Sequence, residues 1–314
     1  MTSTPAGPAA RPNAYLPQLA FVTAAAVAAW VAFADHLPLV VTALARIGLP
    51  RTAAAIVLVV LGLLATARMW RANLAALGHR LPAATTYRVF FPAQVGKYLP
   101  GAVWPYLAQL RLIRTYGVPA RATLTASTMF LAMHVSTGIA LGAALLAGIG
   151  AITAQLWWLL LLAPPALALL QPRVIVWIAG RLPARGETAA PSLGWPGLAR
   201  PAGWMLVGWL CYGAAGFVTL TPFVGGRELP AAAVAATGAF AVGWVVGLVT
   251  IVAPAGIGAR EATFALLLTP LVGAAPAVAV ALLLRLCHLA ADLTLAAWFG
   301  IGVARKTAPG RMRS

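Results

Sequence analysis

Three polar residues stand where an apolar helix ordinarily carries none. Arg285, His288 and Asp292 fall inside the apolar run 276–303, and their spacing of three and four places them on one helical face. Arg285 lies nine residues into that run, about 14 Å deep at 1.5 Å per residue. A charge near the centre of a bilayer costs roughly 2.5–3.5 kcal/mol, so it persists where it is paired or used. The stripe therefore reads either as a structural Arg–Asp clamp or as a polar wall for a lipid headgroup or a proton relay.

Two interrupted segments carry the other unusual residues. One is Gly96-Lys97-Tyr98-Leu99-Pro100-Gly101, followed by Trp104 and Pro105. The other runs Pro254-Ala255-Gly256-Ile257-Gly258-Ala259-Arg260-Glu261. Gly- or Pro-broken apolar segments, one in each half of a chain, point to a midplane binding site in transporters. A broken helix leaves backbone N–H groups unpaired, and a helix that starts there aims its positive end at an anion. The G-x-G-x-R-E stretch has no preceding strand, which argues against a dinucleotide loop. The plainer alternative is that Gly256 and Gly258 serve a tight turn and close helix packing.

Other reactive groupings are missing from the sequence. The four His residues (His36, His79, His134, His288) are dispersed, with no metal-ligand spacing, and no nucleophile triad, phosphate loop or cofactor motif occurs. His134, near Ser136 and Thr137, is expected to hydrogen-bond a neighbour. Cys211 and Cys287 lie far apart inside apolar runs and read as reduced core residues.

The elements that must position these residues are membrane helices. The chain of 314 residues is 62% hydrophobic and 9% charged, with a net charge of +17; soluble domains carry roughly 25% charged residues. The arginines sit at the ends of long apolar runs, which is the positive-inside pattern rather than a nucleic-acid-binding face. Runs of spanning length occur at about 15–34, 52–70, 123–148, 151–171, 203–223, 231–253, 258–274 and 276–303, giving an all-α bundle of about eight spans. An inverted repeat of two halves is one arrangement open to it. The first run could instead be a cleaved signal, since Ala32-Phe33-Ala34 resembles a cleavage site. Placing both termini in the cytoplasm leaves only Arg46, Arg51 and Arg227 outside, with Arg285 inside a span.

That orientation requires residues 83–112 to enter and leave on one side, as a re-entrant hairpin broken at Pro92, Gly96, Pro100, Gly101 and Pro105. A surface-lying amphipathic stretch is the alternative. Residues 1–13 read as a disordered cytoplasmic tail, 14–304 as one membrane domain, 183–200 as a Pro/Gly-rich cytoplasmic connection and 305–314 as a basic tail. The high Ala, Gly and Pro content suggests a GC-rich bacterial genome, and a multi-pass chain of apolar helices is then expected in the inner (plasma) membrane.

The two broken segments resemble the signatures of the lysylphosphatidylglycerol synthase transmembrane-region family. Residues 96–105 are similar to its K/R-Y-L-P-G-x-x-W stretch, and Pro254–Glu261 to its P-G-G-x-G-x-R-E stretch; Arg285 followed by Asp292 also fits. This chain departs in having Ala255 for the second Gly, and Leu131 and Ala132 where many members carry a Glu. The resemblance implies a flippase-like membrane region. No aminoacyl-transferring soluble domain lies within these residues, so lysyl transfer is not expected of them.

Three functions follow from this. The first is a flippase for a phosphate-bearing lipid, either an anionic phospholipid or a polyprenyl-phosphate-linked one. It would use Lys97, Tyr98, Pro100, Gly101, Trp104, Pro254, Gly256, Gly258, Arg260, Glu261, Arg285, His288 and Asp292, without metal or cofactor. The second is a membrane glycosyltransferase with Asp35 as base. The third is a scaffold for envelope assembly. The oligomeric state is not legible.

Overall fold

The computed structural model describes residues 37–99, 103–149, 158–181, 193–250 and 256–307. Among them every regular element is helical. Five helices are long and apolar enough to cross a bilayer, and a sixth crossing results if the pair Leu160–Ala168 and Pro172–Arg181, bent by 64°, forms one broken span. The run expected at 15–34 and Asp35 lie outside the described residues.

Helix α1 (Leu37–Ala76) begins well before the expected 52. The Gly48-Leu49-Pro50 stretch does break it, with Gly48 at φ 73°, but the apolar residues on its N-terminal side fold as helix. Val40 and Ala43 there pack against Ala279. The connection expected around Arg46 and Arg51 is thus largely helical. Helix α2 (Ala83–Gln94) and α3 (Trp104–Ile113) form the arms of the hairpin expected at 83–112, with a 3-10 turn at Val95–Tyr98 between them. The arms touch at Gly96, where a Cβ would lie 2.9 Å from the backbone of Trp104 and Pro105.

Helix α4 (Ala120–Gly148) is a full span, followed by the bent pair α5 (Trp158–Ala168) and α6 (Pro172–Arg181). Helix α7 (Trp195–Leu220) starts eight residues before the expected 203, so the end of the predicted connection is its first turns, opened by Pro196. It runs antiparallel to α1 in a fixed register. Arg51 meets Thr221, Gly62 meets Tyr212, Thr66 meets Gly208 and Ala76 meets Gly197.

Helix α8 (Leu229–Val249) sits centrally, as its buried residues all round show. It packs on α4 through small residues: Gly138 and Gly142 face Val245, Val242 and the carbonyls of Ala241 and Gly238. Without a water-driven hydrophobic term between helices in lipid, such close approach gives the van der Waals contact that holds them.

Helix α9 (Ala259–Val272) corrects the expected seventh span. Its 14 residues cover about 21 Å at 1.5 Å per residue, short of the ~30 Å hydrocarbon core. Gly273, at φ 82°, ends it. Apolar composition over 258–274 matched a span, but the glycine turns at both ends leave a half-helix. Helix α10 (Ala274–Thr307) then runs the full thickness and packs its Phe299 against Tyr87 and Phe91 of α2, at 5.4 and 5.3 Å between ring centroids.

Candidate functional site

The turn between the hairpin arms and the N-terminal end of α9 meet over α10, and a partly open cavity of about 160 Å³ lies between them. Lys97 and Tyr98 enter it from the 3-10 turn, Gly256 and Arg260 from the broken segment, and Arg285, His288 and Asp292 from α10. Seven of the thirteen residues singled out from sequence therefore line one space.

Asp292 organises the hairpin side. It is buried, at 2% side-chain exposure, and its Oδ2 takes the Lys97 ammonium at 2.6 Å and a hydrogen bond from the Tyr98 hydroxyl at 2.7 Å. The sequence suggested an Arg285–Asp292 clamp. The structure instead gives Asp292 to Lys97, while Arg285 Nη1 lies 3.5 Å from Glu261 Oε1. The reason is geometric: residues seven apart on one helix share a face but stand two turns apart, so each charge finds a partner on a different element. Tyr98 also presents its ring to both cations, with Lys97 Nζ 5.3 Å and Arg285 Cζ 5.8 Å from its centroid.

The α9 side is built by close backbone contact. Gly256 has φ 68°, and a Cβ there would lie 2.6 Å from Gly247 Cα on α8, so side chains at this crossing are excluded on two counts. At Gly243 a Cβ would lie 3.0 Å from the Arg260 carbonyl. These α8 glycines let α9 start against the central helix and carry Arg260 into the cavity. Glu261 Oε2 accepts the Gly258 N–H at 2.7 Å, which ties the first turn back to the glycine that precedes it. Gly258, at φ 87°, and Glu261 thus set the helix start and hold Arg285 from behind rather than lining the cavity.

Arg260 has no carboxylate within ion-pair distance among the described residues. Its Cζ lies 4.6 Å from the Phe240 ring centroid, and its Nη2 makes a long 3.5 Å contact with His288 Nε2. His288 Nδ1 faces the Leu284 carbonyl at 2.8 Å. That pairing puts the proton on Nδ1 and turns the Nε2 lone pair toward Arg260, as a neutral imidazole allows. The ring stacks on Phe240 at 5.2 Å, which stacks in turn on Tyr212 at 5.0 Å.

Trp104 does not line the cavity; it is 38% exposed and serves the hairpin contact at Gly96. Pro100, Gly101 and Pro254 lie outside the described residues. The opposite wall was not anticipated. Tyr106, Gln109, Ser127, Phe130, Leu131 and Trp244 are among the residues that form it, with the Ser127 hydroxyl donating to Gln109 Oε1 at 2.7 Å. A buried Gln–Ser pair looks ordinary in sequence, so its only signal was the hairpin's proximity to α4. His134 makes the neighbourly bond expected of it, Nδ1 to the Phe130 carbonyl at 2.9 Å, and stacks on Trp244 at 4.3 Å.

A bundle of spanning helices around a partly open cavity that holds charged side chains, bordered by a hairpin and a half-helix, defines a multi-pass helical membrane protein. Residues 18–296 match the model of the lysylphosphatidylglycerol synthase TM region, and the chain belongs to that family. No curated protein matches the chain.

Proposed function

We propose that the protein moves a phosphate-bearing lipid between the leaflets of the bacterial inner membrane, with the headgroup passing through the cavity and the acyl or prenyl chains remaining in lipid. The observation that carries this reading is the convergence of Lys97, Arg260 and Arg285 on one cavity. Among the described residues the acids set against them are Asp292 and Glu261, so these charged side chains sum to one positive charge with His288 neutral. An anionic headgroup suits that balance better than a cationic one. At 131–132, where the family pattern often has a Glu, this chain has Leu131 and Ala132, which puts no carboxylate there to answer an amine.

Size supports the same reading. About 160 Å³ holds roughly five waters at about 30 Å³ each, which suits a phosphate and a small substituent. Larger headgroups need the hairpin to move. Its tip is fastened to α10 by the Lys97–Asp292 and Tyr98–Asp292 contacts, and an incoming phosphate competes with Asp292 for the Lys97 ammonium. Entry of the headgroup then loosens the fastening that closes the site. In this reading the hairpin re-enters the bilayer, where its broken backbone is sheltered by protein.

The test is reconstitution in liposomes with a panel of labelled lipids, reading leaflet exchange without any donor sugar. Exchange of anionic phospholipid or polyprenyl phosphate that falls at least tenfold in Arg260→Gln supports the proposal. It is overturned if no lipid of the panel exchanges faster than in protein-free liposomes, or if correctly folded Arg260→Gln and Lys97→Gln exchange at the unaltered rate.

A further inference from the structure

A second cationic site lies at the other end of the α1–α7 pair, where Ala76 and Gly197 meet. Arg68, Arg71, Arg80 and Arg200 line a groove of about 600 Å³ together with Pro196, Gly197 and Trp204. It shares no lining residue with the central cavity. Two of the arginines are held in place. Arg68 Nε donates to the Tyr87 hydroxyl at 3.2 Å, with its Cζ 4.9 Å from the Trp204 ring centroid. Arg71 Nε donates to the Leu81 carbonyl at 2.8 Å. Arg80 and Arg200 are exposed and have no hydrogen-bond or ion-pair partner among the described residues. Among the described residues no Asp or Glu lines the groove, and the α7 N-terminus, which has no side-chain cap, adds its positive dipole end.

The positive-inside tendency explains arginines at a helix end, but not what continues from them. Residues four, seven and eleven before Arg68 on α1 share its face; of these Leu61 is 47% and Val57 58% exposed. On α7, Val207, seven after Arg200 and on the same face as Trp204, is 42% exposed. The cationic groove therefore continues, on the faces its arginines occupy, into exposed apolar side chains: Leu61 and Val57 on α1 and Val207 on α7. A soluble anion uses the first feature only. A lipid uses both.

We infer that this groove is a binding site for an anionic phospholipid, its phosphodiester held by the four guanidinium groups and its acyl chains lying along α1 and α7. Guanidinium forks match phosphate oxygens, and Trp204, beside Arg68, is of the residue type enriched at the headgroup level.

The test measures phospholipid retention by native mass spectrometry on the full chain in detergent micelles, offered dioleoylphosphatidylglycerol, dioleoylphosphatidylcholine or inorganic phosphate. All arms are run in an Arg260→Gln background, so that the central cavity neither contributes to nor decides the result. Arg80→Gln/Arg200→Gln removes the two side chains without a structural contact, whereas Arg114→Gln/Arg173→Gln removes two exposed charges elsewhere. Retention of one phosphatidylglycerol over phosphatidylcholine, weakened about tenfold by the first pair and not by the second, is the expected result. Equal loss with both pairs means diffuse surface charge and overturns the site. Equal retention of the two lipids, or displacement of phosphatidylglycerol by millimolar inorganic phosphate, overturns it as well, the latter in favour of a soluble-phosphate site.

Discussion

Asp292, buried on α10, holds the Lys97 ammonium at 2.6 Å from the tip of a hairpin close to two hundred residues earlier in the chain. Removing one partner of a fully buried ion pair costs about 3–5 kcal/mol, because the remaining charge is left uncompensated; Lys97, 31% exposed, keeps part of its hydration, so the loss here falls below that. Asp292→Asn is expected to lower the thermal unfolding midpoint in detergent and to expose the hairpin to proteolysis. Lys97→Met/Asp292→Asn removes both charges and should recover a good part of that loss. A double variant as unstable as the sum of the singles would show the pair to be uncoupled.

Tyr98→Phe separates the hydrogen bond from the ring. The hydroxyl donates to a carboxylate, a bond of about 1.5–3 kcal/mol, while the ring's contacts with Lys97 and Arg285 survive the change. A modest fall in stability is expected, smaller than for Asp292→Asn, together with faster hydrogen–deuterium exchange confined to residues near the hairpin turn.

The two positive-φ glycines of the broken segment should respond differently to Ala. At Gly258 a Cβ meets nothing within 4 Å, leaving only the backbone cost of its φ 87°, ψ −56° conformation, about 1–3 kcal/mol for a residue outside the populated regions. At Gly256 the Cβ also strikes the backbone of Gly247 and must push α9 off α8. Gly256→Ala is expected to lose lipid exchange even where it remains folded, and Gly258→Ala to retain most of it. Equal activity in the two would remove the crossing from the mechanism.

Leu131→Glu supplies the carboxylate that the α4 wall lacks and brings the charged residues around the cavity to neutrality. Exchange of anionic lipids should fall by about tenfold, corresponding to 1.4 kcal/mol of lost attraction, and exchange of aminoacylated or other amine-bearing lipids should rise relative to it. The readout is the ratio of the two rates in liposomes of one composition.

The sequence announced the parts of this site but not how they join. Arg285, His288 and Asp292 were legible because polar residues on one face of an apolar helix have few structural excuses, and the glycine- and proline-broken segments because they interrupt spanning runs. Who pairs with whom was not legible, since Lys97–Asp292 and Glu261–Arg285 are contacts between elements. The α8 glycines that seat α9 were equally hidden: in a membrane helix rich in Ala and Gly, Gly243 and Gly247 look like their neighbours. Element lengths misled where apolarity and breaks disagreed. Residues 37–47 were apolar enough to continue a helix past a Gly-Leu-Pro break, and 258–274 were apolar enough to span but bounded by turns too close together.

The α1–α7 register bears on which half of the molecule can move. The Tyr212 ring occupies the notch at Gly62, where even a methyl group would lie 2.3 Å from it, so neither helix can slide a turn along the other without first withdrawing that ring. In the proposed lipid exchange the pair would act as a stator, and excursions that enlarge the cavity would fall to the hairpin and the half-helix. A covalent crosslink between α1 and α7 should leave turnover intact, whereas one tying the hairpin to α10 should arrest it.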